Sequence, residues 1–110
     1  MHTKTIVQLQ VFSGRRNPQW ELTEQQKKAF VKLWIAAKVE EQKINLPSNL
    51  GYQGFVVWDN LYKWIIYNGH AHRMHNKVIE TKKDTGNGIE LFLRNTLPKN
   101  IAVELKEMGL

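Results

Sequence analysis

Residues 64–73, WIIYNGHAHR, join an apolar, β-prone run to a polar one through Asn68-Gly69. Asn68-Gly69 is the strongest two-residue hairpin signal, because a tight type I′ turn needs positive φ at both central positions. The β-branched and aromatic residues before it predict a strand over Trp64–Tyr67 (WIIY). The chain must then return antiparallel through His70–Met74. Upstream, Phe55–Trp58 (FVVW) is a second such run, with a turn at Asp59-Asn60. Neither run alternates with polar residues. That predicts strands buried on both faces or set in the middle of a sheet. Downstream, Val78–Lys82 either continues the returning strand or forms another.

Toward the N-terminus, residues 4–12 (KTIVQLQVF) alternate. Val7, Leu9 and Val11 share one face and Gln8 and Gln10 the other, as in a half-buried strand. Residues 11–22, VFSGRRNPQWEL, then turn a corner. Gly14 permits the turn and Pro18 pushes Asn17 toward extended geometry. Thr23 with Gln26 three residues on forms a capping box. The helix it opens is expected to run to about Gln42, with Phe30, Leu33, Trp34 and Ala37 as its apolar stripe. Residues 43–54 read as a long loop carrying Tyr52 between two glycines, and residues 83–88 as a further turn. Asn87, with Glu90 reaching back, is the expected cap of a helix through Ile89, Phe92, Leu93, Thr96 and Leu97. Pro98 ends that helix, and a last one covers about Lys99–Met108.

These elements predict an α+β domain over residues 1–110. It has a three- to four-stranded, at least partly antiparallel sheet, one long helix after strand 1, and two C-terminal helices packed on the sheet. The first helix is long enough for a crossover, so strand 1 is free to pair parallel to a later strand.

Composition narrows the function classes. Four Trp and 42% hydrophobic residues suffice for a core. The chain has no cysteine, which excludes disulfides, thiolate catalysis and zinc ribbons. There is no signal-peptide pattern and no run of membrane-spanning length, so a soluble cytoplasmic protein with no membrane partner is expected. No motif calls for a cofactor. The net charge of +6 is concentrated in residues 1–38 (+5) and 60–83 (+4). Such asymmetry attracts anionic partners.

Three constellations carry chemistry. Arg15 and Arg16, adjacent guanidiniums close before a helix, suit a phosphate or carboxylate, although the stretch is neither GxxxxGK[ST] nor GxGxxG. His70, His72 and His75 lie within six residues and invite a metal reading. As strand residues, His70 and His72 point to one face and His75 to the other. Trp58, Tyr62, Trp64 and Tyr67 interleave with Lys63 and Arg73, a pattern suited to stacking bases and holding phosphates. Neither Ser13 nor Ser48 lies in GxSxG, and HExxH is absent, so no catalytic signature is present.

The leading expectation is a small non-enzymatic binding module for an anionic partner: nucleic acid, an acidic peptide or protein, or a phosphate-bearing ligand. Arg15, Arg16, Lys63, Arg73 and Lys77 are the expected anion contacts, with Trp20 and Tyr52 as apolar contacts. Two alternatives stand beside it. One is a His-dependent enzyme or metal-binding protein using His70, His72 and His75. The other is an interaction subunit that pairs, with itself or another chain, through an exposed FVVW or WIIY edge.

Overall fold

The computed structural model describes residues 4–10, 17–44 and 54–107. In chain order the elements are β1 (Ile6–Leu9), β2 (Gln19–Glu21), α1 (Glu24–Ala36), β3 (Phe55–Trp58), β4 (Lys63–Tyr67), β5 (His70–His75) and β6 (Val78–Lys83). A short 3₁₀ turn, Thr85–Asn87, leads into α2 (Gly88–Asn95), and α3 (Lys99–Glu107) follows. The class is α+β. The strands form one sheet in the order β2-β1-β3-β4-β5-β6, and every neighbouring pair is antiparallel.

The sheet is therefore larger than the three or four strands expected. Two differences account for this. The corner after Pro18 contains β2, three residues that pair with β1 through Val7 opposite Trp20. Val78–Lys83 forms a separate strand, joined to β5 by a two-residue turn in which Asn76 takes positive φ (55°). Strand β1 also pairs antiparallel to β3, so the parallel crossover does not occur. The Asn68-Gly69 turn has positive φ at both positions (51° and 81°), as the type I′ geometry requires.

The register assigns every strand residue to a face. Val7, Leu9, Trp20, Phe55, Val57, Trp64, Ile66 and Ala71 lie on one face and are buried together with Phe30 and Trp34 of α1, Ile89 and Leu93 of α2, and Leu105 of α3. Phe30 meets Trp64 edge-to-face at 5.1 Å between ring centroids. The runs FVVW and WIIY are not uniformly buried. Phe55, Val57, Trp64 and Ile66 are core, whereas Val56, Trp58, Ile65 and Tyr67 on the opposite face keep partial exposure. Both strands sit inside the sheet, so neither offers a free edge for a partner. The edge strands are β2 and β6.

Helix α1 opens with the expected capping box. Thr23 Oγ1 accepts from the Gln26 N–H at 3.1 Å, and Gln26 Oε1 accepts from the Thr23 N–H at 2.9 Å. The helix ends at Ala36 rather than near Gln42. The chain beyond it turns extended and joins the outer edge of β6. Lys83 N–H donates to the Lys38 carbonyl, Glu40 N–H donates to the Thr81 carbonyl, and Val39 lies opposite Lys82. Backbone bonding to the sheet edge thus displaces the last helical turn. Lys82 reinforces the exit by donating from Nζ to the Trp34 carbonyl at 2.8 Å while lying 4.5 Å from the centroid of the Trp34 ring.

The cap of α2 also differs from expectation. Asn87 has left-handed backbone (φ 57°) and makes no side-chain cap, because a capping side chain needs an extended backbone at that position. The buried carboxylate of Asp84 takes the role. It accepts from the Ile89 N–H at 2.7 Å and the Glu90 N–H at 3.1 Å. Gly54, entering β3 with φ 78°, has no room for a side chain: a Cβ there would collide with the Ile66 carbonyl oxygen. No helix among the described residues is long and apolar enough to cross a membrane.

Candidate functional site

The site is built by the sheet face that points away from the buried core. Cross-strand register sets its residues in rows. One row runs Ile6, Trp58, Lys63, Met74 and Ile79. The next runs Gln8, Val56, Ile65, His72 and Thr81. At the far end Tyr67, His70 and Lys83 lie side by side.

Three zones follow across the strands. On β1 and β2 an amide chain links Asn17 to Gln10 (3.3 Å), Gln10 to Gln8, and Gln8 to Gln19 (3.4 Å). In the centre, Val56, Trp58, Ile65 and Tyr67 form an apolar and aromatic strip. On β5 and β6 stand His70, His72 and Lys83, while exposed Lys63 begins β4. The strands present one acid to this face among the described residues, Glu21 on β2, the Cα partner of Ile6. Glu40 reaches in from the segment along β6 and bonds His70 Nε2 at 2.8 Å.

The two histidines differ in setting. His72 is 2% exposed and its Nδ1 meets Thr81 Oγ1 at 3.0 Å. The ring of His70 lies 6.3 Å away between centroids. Burial first, and then the neighbouring His70, holds the His72 imidazole below the usual histidine range. Groups facing this pair are Glu40, hydrogen-bonded to His70, and Lys83, the Cα partner of His70. The Glu40 carboxyl is held below its ordinary value by its bonds to His70 and to the Gln42 N–H.

A pH dependence of stability follows for His72. Below about 6.5, the ordinary histidine value, the unfolded chain takes up a proton that folded His72 resists. Stability is therefore fully present above that pH and is lost as pH falls toward the lower folded value. We expect the melting temperature of the wild type to fall between about pH 7.5 and about pH 5.5. His72→Gln, which can still bond Thr81, should fall less steeply. Equal slopes in thermal melts would contradict this assignment.

The expected site residues do not all converge. Lys63 lies exposed on the site face, and Lys77 is exposed in the β5–β6 turn. Arg73 lies on the opposite, core-bearing face, opposite Trp64 in register. Its guanidinium lies 4.2 Å from the Tyr62 ring centroid and 5.2 Å from that of Trp34, and it pairs with Glu80 at 2.7 Å. Trp20 is buried, and its indole N–H donates to Thr96 Oγ1 at 2.9 Å. Arg15, Arg16 and Tyr52 lie outside the described residues. Of the four interleaved aromatics, Trp58 and Tyr67 face the site, while Trp64 is core and Tyr62 packs in tilted contact, 5.4 Å between centroids, against Trp64 and His75.

The metal reading meets a correction. His70 and His72 share the site face, but His75 sits across the sheet with Nδ1 against the Leu61 carbonyl at 2.9 Å. Among the described residues no group of three or more His, Cys, Asp or Glu is placed to hold a metal ion. Asp59 is engaged by Lys27 at 2.6 Å and by the N–H groups of Leu61 and Tyr62. Burial pushes its carboxyl up, but these partners outweigh burial and hold it below the usual range.

A cleft of about 340 Å³ lies between the end of α1 and the start of α2, over Leu33, Ala37 and Ile89. Its buried acid, Asp84, is already bonded to the first turn of α2, and Lys38, Lys83 and Thr85 complete its polar lining. Sequence reading missed the contributions of Gln8, Gln10, Glu40 and Lys83. The alternation of β1 already placed Gln8 and Gln10 on the face away from the core. Glu40 had no such signal, since its role depends on the chain leaving α1 early. Compared with known protein families, curated proteins and solved structures, the chain has no match.

Proposed function

We propose that this chain is a non-enzymatic binding module that holds an anionic partner, best a single-stranded nucleic acid, on the sheet face described above. One observation carries the reading. The register sets partly exposed aromatics beside basic side chains on that face: Trp58 beside Lys63, and Tyr67 beside His70 and Lys83.

The physics favours an extended partner. Lys63 and Lys83 stand in opposite end rows, four strand positions or about 13 Å apart along the strands. A small anion would reach one of them, whereas a polyanion spans both. Aromatic stacking contributes about 1–3 kcal/mol per base and tolerates any sequence. The amide chain of Gln8, Gln10, Asn17 and Gln19 offers donors and acceptors to base edges. Arg15 and Arg16 belong to the connection between β1 and β2 and extend the positive charge of the module. Lys77 adds charge at the β5–β6 turn. The absence of cysteine suits a reducing compartment, and the cytoplasm is where we place the protein.

Fluorescence anisotropy with labelled single-stranded DNA, RNA and an acidic peptide tests the reading. Binding of the oligonucleotides should weaken with salt, with a log–log slope of about −1.5 to −3 for two to four phosphate contacts. Binding of the peptide should be weaker, since it supplies no bases to stack. No oligonucleotide binding at low salt would remove the proposal.

A further inference from the structure

Glu40 stands out among the acids of the described chain. Its side chain is only 11% exposed and lies against His70, the neighbour of Lys83 on the site face. Oε1 meets His70 Nε2 at 2.8 Å and Oε2 accepts from the Gln42 N–H at 3.3 Å. The Lys83 charge also acts on it. An imidazole N–H and a main-chain N–H, with the Lys83 charge beside them, form a setting that suits a phosphate oxygen as well as a carboxylate. The backbone of Glu40 is fixed independently, through its N–H to the Thr81 carbonyl and through Lys38 to Lys83. The carboxylate can therefore swing away by side-chain rotation while the sheet edge stays paired.

We propose that Glu40 is an internal occupant of an anion subsite formed by His70, Lys83 and the Gln42 N–H, and that a phosphodiester of the bound partner displaces it. This inference rests on the binding reading above and adds a regulatory element to it. Glu40 competes with the partner, so the free protein is held in a weaker-binding state. Displacement costs the Glu40–His70 bond and gains a phosphate contact at the same donors.

The test is oligonucleotide affinity, measured by anisotropy at fixed pH and salt. Glu40→Gln removes the competing charge and should bind single-stranded DNA about 5- to 20-fold more tightly, within the usual range of coupling between sites. Glu21→Gln removes an equal charge from the same face and should change affinity by less than about twofold, because surface charges are screened. In a His70→Ala background, Glu40→Gln should give no gain. Tighter binding by Glu40→Gln that vanishes without His70 supports the proposal, including the case in which only the variant binds detectably. If the wild type binds and Glu40→Gln binds no better, or if Glu21→Gln gains as much, the inference falls and the binding reading stands. If neither wild type nor variant binds, both fall. Should Glu40→Gln fail to fold by circular dichroism, the His70 ring resonances of the wild type decide. They must shift when the oligonucleotide is added, and unmoved resonances under saturation overturn the inference.

Discussion

Trp34→Ala is expected to cost about 3–5 kcal/mol, the usual range for removing a large buried aromatic. That is a large part of the total stability of a domain this size, so the variant should melt far below the wild type or without a cooperative transition. Trp34 is 1% exposed and contributes to the core that joins α1 to the sheet. Its ring also lies beneath the cations of Arg73 and Lys82. Truncation would open a cavity and take one aromatic contact from each cation, leaving Arg73 with Tyr62. Ile35→Ala supplies the control. It is the next residue of the same helix, but it is 68% exposed, and its truncation should stay within about 0.5 kcal/mol. Chemical denaturation of the two variants checks the assignment. Equal losses would mean that α1 does not pack as described.

The contrast between Trp34 and Ile35 was only partly legible in the sequence. Helical spacing placed Phe30 and Trp34 on the inner stripe, and both are buried there. The same spacing put Leu33 in the stripe and widened it by Val31 and Ile35; the structure leaves Leu33 and Ile35 exposed and packs Val31 against the core. The spacing also carried the helix past Ala36, because nothing local in the stretch from Ala37 to Gln42 announces that Lys38 and Glu40 will bond to β6. That interaction joins residues far apart in sequence and lies beyond any periodicity. Turn chemistry gave mixed returns for a similar reason. Asn68-Gly69 supplies its own positive-φ geometry and is readable alone. Asn76-Lys77 lacks the glycine, so the boundary between β5 and β6 stayed open. Strand β2 is too short to show alternation, and Pro18 beside it suggested a loop.

The candidate site follows the same logic. Alternation within β1 and the histidine parity of β5 were enough to separate faces, so His70 and His72 on one side and His75 on the other were readable. Arg73 shares the parity of His75, and its pairing with Trp64 shows that theirs is the core-bearing face. Trp20 could not be placed that way. Trp20 belongs to a strand the sequence did not reveal.

Reversing the two lysines of the site face is the second large effect expected. Lys63→Glu combined with Lys83→Glu should weaken single-stranded DNA binding about 100-fold at low salt, with a loss of about 1.4 from the log–log salt slope for two phosphate contacts. The matched control is Lys28→Glu with Lys32→Glu, which changes net charge by the same amount on the exposed surface of α1. General attraction to a basic protein treats both pairs alike. A binding face distinguishes them, and the α1 pair should lose less than about threefold. Similar losses in the two double variants would reduce the interaction to non-specific charge.

The most direct test of the binding face uses the four tryptophans. Trp20, Trp34 and Trp64 are buried in the core, whereas Trp58 lies on the proposed surface. In a two-dimensional ¹⁵N–¹H NMR spectrum each gives one indole resonance. Adding saturating single-stranded DNA should move the Trp58 indole signal strongly and leave those of Trp20, Trp34 and Trp64 nearly in place. A Trp58 signal that stays fixed while the oligonucleotide is bound would contradict the account.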